Sequence, residues 1–170
     1  MSGRSIRILG IDTSLRSTGV GVVEASGSTL SALECGALKT PAGKSLSECL
    51  RRLSEGIHDV IERLEPEAVA IEGIFFCKNV KTAVTLGETR GAAIAACARH
   101  GLPVYEYSPR RVKQAVVGFG SASKEQVRGM VMSMLGLKEE PQEDAGDALA
   151  IAICHWHTHT GHAALKSKEI

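Results

Sequence analysis

The sequence has few aromatic residues, no paired cysteines and no long apolar run, and each shortage excludes a class of protein. It contains three Phe, two Tyr and one Trp among 170 residues. The five cysteines form an odd set without a CxxC pair, which is typical of small buried side chains in a reducing compartment. The longest apolar runs, 92–98 and 148–154, are too short for a membrane span, and no signal-peptide stretch precedes Gly10. We therefore expect a cytoplasmic globular protein without a membrane partner.

The net charge is close to zero, at +1, but this average hides a strong asymmetry. Residues 73–138 contain ten Lys or Arg against three Asp or Glu, a net charge of +7. The flanking segments 1–72 and 139–170 carry −2 and −4. A basic middle segment between acidic flanks favours a polyanionic partner. A solvated basic face would have the same composition, so charge alone leaves both interpretations open.

The pattern of apolar residues predicts one α/β domain over residues 1–159, followed by a flexible C-terminal tail at 160–170. Short connections between the first three strands favour an antiparallel meander, and capping-box spacings mark two helix starts. The predicted strands cover residues 6–11, 18–25, 29–38, 68–71 and 103–107. The predicted helices begin near Ser45, Asn79, Ser108, Ser123 and Asp144. Together they form a five-stranded mixed sheet, three antiparallel strands and then parallel ones, with helices on both faces.

Two carboxylates end strands that are otherwise apolar. Asp12 follows Ile-Leu-Gly-Ile, and Glu72 follows Ala-Val-Ala-Ile. An ionised carboxylate at the rim of a buried strand is costly unless a cation or hydrogen bonds compensate it. The carboxyl ends of neighbouring strands are also where open α/β sheets place their ligands. Asp12 and Glu72 are therefore candidate ligands of a cation.

Asp144 and Asp147 add a third group, because a spacing of three residues places both on one face of the last helix. That face continues through Ala148 and Ile151, which indicates that it packs inward. No basic residue stands beside any of these acids in the sequence, and oxygen-only ligands favour Mg²⁺ or Mn²⁺ over zinc. Two such ions about 4 Å apart can activate a water and stabilise the leaving oxygen of a phosphodiester. Helix-dipole stabilisation and, for Asp12, capping are the structural alternatives.

Five ordered blocks contain these acids and most of the apolar pattern. They read ILGIDTSLRSTGVGVVE, VAIEGIFFCKN, LGETRGAAIAA, YSPRRVKQAVVGFGSASKEQV and EDAGDALAIAICH. From Ile8 to about His155, the chain thus resembles the RuvC family of crossover junction endodeoxyribonucleases, or Holliday junction resolvases. The resemblance implies an RNase H-like fold and a homodimer that nicks four-way DNA junctions symmetrically. It also implies an acidic site for two Mg²⁺ ions, with Mn²⁺ as a substitute, formed by Asp12, Glu72, Asp144 and Asp147.

The resemblance and the charge pattern together predict the DNA contacts. Phe75 is expected to wedge or stack on a base at the junction centre, although an ordinary core phenylalanine is the alternative. Lys124 lies in the first turn of a predicted helix, where free backbone N–H groups favour an anion. The predicted basic contacts are Lys78, Lys81, Arg110, Arg111, Lys113 and Lys124.

Small residues stand at two further places. Gly87 and Gly91, which are followed by alanines, permit another element to approach their helix closely. Tight packing of this helix on the protein's own sheet would explain the small residues. The resemblance instead implies that this helix forms the dimer contact. The spacing of Gly10, Gly19 and Gly21 is similar to that of the glycines in the phosphate loop of actin-like ATPases. That fold needs two large domains, which 170 residues cannot supply.

The sequence favours a resolvase but leaves two alternatives. One is a ribonuclease H that acts on RNA–DNA hybrids. The other is a non-catalytic junction-binding module, because Thr13 and Ser14 stand where the family usually has proline and glycine. Family members usually cooperate with a branch-migration complex, which the resemblance alone implies. A histidine tract, His155, His157, His159 and His162, is not expected to form a functional zinc site, because alternate positions on a helix do not face each other. Adventitious metal binding by His155 with His159 is the alternative that the spacing leaves open.

Overall fold

The computed structural model describes residues 5–73, 79–160 and 169–170. The strands are β1 (Ile6–Asp12), β2 (Ser17–Ser26), β3 (Thr29–Lys39), β4 (Ala68–Glu72) and β5 (Val104–Tyr107). The helices are α1 (Leu46–Leu64), α2 (Val80–Ala98), α3 (Pro109–Val117), α4 (Lys124–Leu135) and α5 (Glu143–Thr160). Each predicted element is present, and the strand ends and helix starts lie within two residues of the predicted positions. No helix in these ranges combines the length and apolarity that a bilayer crossing requires.

The five strands form one sheet in the order β3-β2-β1-β4-β5. The pairs β1–β2 and β2–β3 are antiparallel, whereas β1–β4 and β4–β5 are parallel, which confirms the predicted mixed sheet. Strand β4 lies between two neighbours and is buried on both faces, as its wholly apolar sequence predicts. In the β1–β4 pair Ile11 stands beside Ile71, so the next residues, Asp12 and Glu72, leave the sheet side by side.

Helices cover both faces of the sheet. Side chains alternate along a strand, so Leu9 and Ile11 point to one face of β1 and Ile8 to the other. Helices α1 and α2 pack on the Leu9 and Ile11 face. Helix α5, flanked by α3 and α4, packs on the Ile8 face. Because Asp12 is an even number of residues from Ile8, its side chain belongs to the α5 face.

Side-chain caps fix the helix starts. Ser123 and Gln126 form the predicted capping box, in which each side chain bonds the other residue's backbone N–H. At α1 only half of the predicted box forms, because the backbone N–H of Glu48 donates to Ser45 while the Glu48 carboxylate accepts from Arg51 and Arg52. The reciprocal bond predicted from that spacing is therefore replaced by ion pairs.

The end of the chain returns to the sheet. Glu169 forms an isolated antiparallel bridge with Tyr105 of the edge strand β5, and the Ile170 N–H donates to the carbonyl of Val104. The flexible tail predicted for residues 160–170 stays a prediction, since residues 161–168 lie outside the described ranges.

Candidate active site

Asp12 and Glu72 lie at the carboxyl ends of the adjacent parallel strands β1 and β4. In β4, Val69 and Ile71 face α1 and α2, so Glu72 faces α5 as Asp12 does. Both carboxylates line a pocket of about 360 Å³. The predicted convergence of these two strand-end acids is therefore present.

Glycines let α5 lie directly on the sheet. A Cβ atom on Gly10 would overlap the carbonyl oxygen of Ala148, and a Cβ atom on Gly19 would overlap the carbonyl oxygen of Asp144. A Cβ atom on Gly21 would stand 2.9 Å from the side chain of Leu149. The packing of α5 thus explains these glycines without a phosphate loop. It also sets the first turns of α5 beside the end of β1 and the start of β2.

The two aspartates of α5 reach different parts of the site. Asp147 lines the same pocket as Asp12 and Glu72. Asp144 lies at its margin, where its carboxylate accepts a hydrogen bond from the Ser17 hydroxyl. Ser17 is a site residue that sequence reasoning missed. No motif marks it, and only the β1–β2 register, which pairs Asp12 with Gly19, indicates that the start of β2 lies near the acids.

The site is electrostatically unfavourable for its own carboxylates. Burial, and then the negative charges of Asp147 and Asp144, raise the pKa of Asp12 to about 6. Burial, followed by the charges of Asp12 and Asp147, raises the pKa of Glu72 to about 7. Burial also raises the pKa of Asp147, against the opposing effect of Lys124. The group therefore resists full ionisation unless positive charge is supplied.

Lys124 lies beside the acids in the folded chain, although no basic residue is next to them in the sequence. It is the first residue of α4, and its Nζ lies 3.8 Å from Oδ2 of Asp147 and donates to Oε1 of Glu143. The hydrogen bond to Glu143 is the main cause of the raised pKa of the Lys124 ammonium. The packing of α4 beside α5 brings together residues that are 19 and 23 positions apart in the sequence. The exposed ion pair adds little to stability, so its position matters more than its energy.

The donor set fits a hard divalent cation. The pocket presents carboxylate oxygens, and neither histidine nor cysteine is among its lining residues in the described ranges. Within the same ranges, no group donates a hydrogen bond to the carboxylate of Asp12 or Glu72. Half-buried carboxylates with raised pKa values and no donor are what an oxygen-ligated ion would compensate. The residues present are therefore suited to Mg²⁺ or Mn²⁺.

One wall of the pocket is apolar, and two lysines stand at its rim. Lys113 of α3 and Lys124 of α4, two of the residues predicted to contact DNA, are among the lining residues. The apolar lining residues are Pro109, Val112, Val127, Ala150 and Ile151.

The other predicted DNA contacts are not among the lining residues of this pocket or fall outside the described residues. A Cβ atom on Gly120 would overlap the Arg110 side chain, so Arg110 covers the loop after α3. Arg111 lies close enough to Cys154 to lower its thiol pKa, which burial raises to about 12. Lys81 is exposed in the first turn of α2. Phe75 and Lys78 fall in residues 74–78, which are not described.

The turn that contains Thr13 and Ser14 is held without the proline and glycine of the family pattern. The buried hydroxyl of Thr18 donates to the Ser14 carbonyl at 2.6 Å and accepts from the Ser14 N–H at 3.2 Å. Among the described residues, Glu65 is the only non-glycine with a positive φ, so this turn does not need a glycine conformation. The acid before the turn keeps its place in the pocket.

The histidine tract serves the core of the domain. His155 is 3% exposed, and its Nδ1 lies 2.9 Å from the Tyr107 hydroxyl. Burial and the nearby His159 lower the pKa of His155 to about 3, which keeps the ring neutral. The rings of His155 and His159 stack with their centroids 4.1 Å apart. His155 is therefore a satisfied core residue.

A mixed sheet whose adjacent parallel strands end in carboxylates, crossed by a helix with further carboxylates, defines a nuclease of the RNase H-like class. A solved structure shares this fold. The chain superposes on the crystal structure of the yeast mitochondrial Holliday junction resolvase Ydc2 with a TM-score of 0.64, covering 89% of this chain and 78% of that chain. At 14% identity, this similarity shows the fold alone.

The chain belongs to the RuvC family: the family model described as "Crossover junction endodeoxyribonuclease RuvC" matches residues 8–155. The RuvC protein of Chloroflexus aggregans is 51% identical, over 90% of this chain and 94% of its own length. The RuvC protein of Nitrosomonas eutropha is 50% identical, over 96% of this chain and 92% of its own length. T. thermophilus RuvC in complex with Holliday junction substrate is 35% identical, with a TM-score of 0.90, over 97% and 99% of the two chains.

Proposed function

We propose that this protein is a Mg²⁺-dependent endonuclease that resolves four-way DNA junctions by paired, symmetric nicks. The observation that carries the proposal is the pocket in which Asp12, Glu72 and Asp147 meet Lys113 and Lys124. Membership of the RuvC family supports the same conclusion, since its curated relatives are named crossover junction endodeoxyribonucleases. Hydrolysis would leave 5′-phosphate and 3′-hydroxyl ends, which a ligase can seal.

Asp12, Glu72 and Asp147 would hold two Mg²⁺ ions from the pocket side, with Asp144 at its margin. When bound, the ions supply a nucleophilic water at neutral pH and stabilise charge on the phosphate and leaving oxygen. Asp12 and Glu72 leave neighbouring strands side by side, so both would contribute ligand oxygens to the same metal site. Ser17 orients the Asp144 carboxylate through its hydrogen bond. Mn²⁺, which also prefers oxygen ligands, is expected to substitute.

The lysines at the rim would position the DNA strand for attack. Without DNA, the Lys124 ammonium rests between Glu143 and Asp147. A phosphate that enters the pocket offers a stronger partner than the exposed Glu143, and Lys113 stands at the same rim. The apolar wall limits water on one side of the phosphate. These residues supply orientation and charge, which are most of what phosphodiester hydrolysis requires of a protein.

The exposed face of α2 supports the proposed homodimer. Neither Gly87 nor Gly91 has any atom within 4 Å of its Cβ position, so packing within the described chain does not explain these glycines. Val80 and Val84, on the same side of the helix, are 80% and 53% exposed. A second copy on this face would bury the valines and place two acidic sites about a two-fold axis, which matches a two-fold junction.

The remaining contacts are proposals that rest on the family and on position in the chain. Phe75 and Lys78 belong to the connection between β4 and α2, and Lys81 to the exposed start of α2. Arg110 and Arg111 begin α3, the helix that carries Lys113. A cytoplasmic location and cooperation with a branch-migration complex are proposed on the same ground.

The test compares a mobile four-way junction with an RNA–DNA hybrid duplex, using parent protein and Asp12→Asn with millimolar Mg²⁺. We expect paired nicks in opposed strands of the junction, mapped at nucleotide resolution, and none with Asp12→Asn, which should still bind junctions in a gel-shift assay. Preferential cleavage of the hybrid would favour a ribonuclease H. Junction binding without cleavage beyond the Asp12→Asn level would identify a non-catalytic binding module.

A further inference from the structure

Three side chains that can bind a transition metal converge between α1 and the end of α2. His58 and Glu62 are four residues apart and share an exposed side of α1, while His100 follows α2. The Nδ1 atom of His58 lies 2.9 Å from Nε2 of His100, and Nδ1 of His100 lies 3.3 Å from Oε1 of Glu62. One ligand atom from each of the three residues lies within 4.8 Å of the others.

This cluster is separate from the acidic pocket. Helices α1 and α2 cover the Leu9 and Ile11 face of the sheet, whereas Asp12 and Glu72 face α5. A cleft of about 220 Å³ opens at the cluster and shares no lining residue with the acidic pocket. Its lining residues are Ser54, Glu55, His58, Ala96, Arg99 and His100.

The ligand chemistry also differs from that of the acidic pocket. Two imidazoles and one carboxylate suit Zn²⁺ and its neighbours in the transition series, whereas an all-carboxylate set suits Mg²⁺. A tetrahedral ion with bonds of about 2.0–2.1 Å separates its ligand atoms by roughly 3.3 Å. The two imidazoles meet this requirement, with Nδ1 of His58 and Nε2 of His100 2.9 Å apart. The 3.3 Å contact of Glu62 is with the other ring nitrogen of His100, and the ligand atoms of all three residues lie within 4.8 Å of one another. Because His58 and Glu62 are exposed, small rotations of their side chains suffice to admit an ion.

We propose that His58, Glu62 and His100 form a surface site for one transition-metal dication of the Zn²⁺ class. The site has three protein ligands and leaves a fourth position to water. Its ion ties the middle of α1 to the turn that follows α2. Since α2 carries the exposed face of Val80 and Val84, the ion braces that helix from the opposite side.

The test measures Zn²⁺ binding by titration calorimetry on the full chain, with Asp12→Asn and Asp147→Asn in every sample to weaken binding at the acidic pocket. We expect one Zn²⁺ per chain and an upward shift in melting temperature when Zn²⁺ is added. His58→Ala and His100→Ala should each weaken Zn²⁺ binding at least about tenfold, and Glu62→Gln about tenfold. His159→Gln is the matched control and should leave Zn²⁺ affinity unchanged.

The reference protein is the Asp12→Asn/Asp147→Asn chain with the three candidate ligands intact. The proposal is overturned if this protein binds no Zn²⁺ or if adding His58→Ala leaves its Zn²⁺ affinity unchanged. It is also overturned if His159→Gln weakens Zn²⁺ binding as much as His58→Ala does. Circular dichroism checks that each variant is folded. If either histidine variant is unfolded, the Glu62→Gln variant, which changes an exposed side chain, provides the test of Zn²⁺ affinity. A second readout uses the otherwise wild-type chain, in which His58→Ala should leave Mg²⁺-dependent junction cleavage unchanged. A parallel loss of cleavage would contradict the separation of the two sites.

Discussion

The carboxylate of Glu48 on α1 and that of Glu72 at the end of β4 meet opposite electrostatic surroundings. Glu48 accepts hydrogen bonds from Arg51 and Arg52, which lower its pKa to about 2. Burial and neighbouring acids raise the pKa of Glu72 to about 7. Both residues are glutamates of one chain, and the difference lies entirely in what surrounds them.

The contrast separates a structural use of carboxylates from a functional one. On the surface of α1 the chain supplies arginines one turn away, and the charges are compensated locally. At the carboxyl ends of β1 and β4 it gathers Asp12, Glu72 and Asp147 in one pocket, and Lys124 is the lysine whose charge opposes the raised pKa values of these acids. An arrangement that costs folding free energy persists where a ligand offsets the cost. In the proposed function that ligand is a divalent cation.

The largest expected effect comes from removing one acid of the pocket. Glu72→Gln keeps the side-chain shape but loses a charged metal ligand, so Mg²⁺-dependent junction cleavage should fall by at least about 10³-fold. Junction binding should persist, because the lysines remain. The measurement is single-turnover cleavage at saturating protein. Glu48→Gln is the matched control, and a comparable loss in that variant would erase the distinction between the two carboxylates.

The next effect tests how the acids of α5 are held on the sheet. Gly10→Ala places a methyl group against the Ala148 carbonyl and must push α5 away from β1. We expect the free energy of unfolding to fall by about 3 kcal/mol, with loss of cleavage. Urea denaturation measures the first effect. Gly36→Ala, at a strand position with open space around it, is the control and should cost far less; equal losses would show that the close approach of α5 is unimportant.

A smaller effect is expected from the lysine that stands among the acids. Lys124→Ala removes the ammonium beside Asp147, so cleavage should fall by about 10²-fold. The salt dependence of junction binding should lose about one unit of slope. Stability should barely change, because the ion pair is exposed. Lys138→Ala, another exposed lysine of the basic segment, should leave cleavage intact; if it does not, general charge rather than position explains the effect.

The smallest effect is a pH dependence of stability in the metal-free protein. The raised pKa values of Asp12 and Glu72 mean that, between about pH 4 and pH 7, the folded state binds more protons than the unfolded state. Their contribution to the free energy of unfolding therefore decreases as pH rises through this window. His155, whose pKa is lowered to about 3, acts in the opposite direction up to about pH 6.5, so a difference measurement is needed.

The measurement compares the free energy of unfolding of the parent with that of the double variant Asp12→Asn/Glu72→Gln, both in the presence of a metal chelator. The variant should gain about 1 kcal/mol of unfolding free energy relative to the parent between about pH 5 and pH 8. Millimolar Mg²⁺ should cancel or reverse that gain, because it binds the ionised acids of the parent alone. A gain that is the same with and without Mg²⁺ would argue against these acids as the metal ligands.

Local sequence patterns predicted much of this architecture. Alternation and short apolar runs located every strand, and Ser108 and Ser123 marked helix starts through their caps. The position of Asp12 and Glu72 at strand ends could be predicted for the same reason, because each acid directly follows a strand that the apolar pattern identifies. Periodicity and capping are properties of a few consecutive residues, so they do not depend on the rest of the fold.

Contacts between distant segments could not be predicted in this way. Ser17 bonds Asp144 across 127 positions, and His58 meets His100 across 42. Lys124 appeared in the sequence as a residue of a basic segment, without any sign that it stands beside Asp147. The glycines of β1 and β2 resembled a phosphate loop until the path of α5 explained them.

By itself, the sequence determined the elements, their mixed arrangement and the two acids that end β1 and β4. Only the tertiary structure decided that α5 lies directly on Gly10 and Gly19, which brings Asp147 into the pocket and Asp144 to its margin. It also decided that Lys124 is the cation these carboxylates share. Strand and helix periods are short-range steric properties, whereas electrostatic surroundings depend on which surfaces the folded chain brings within a few ångströms of one another.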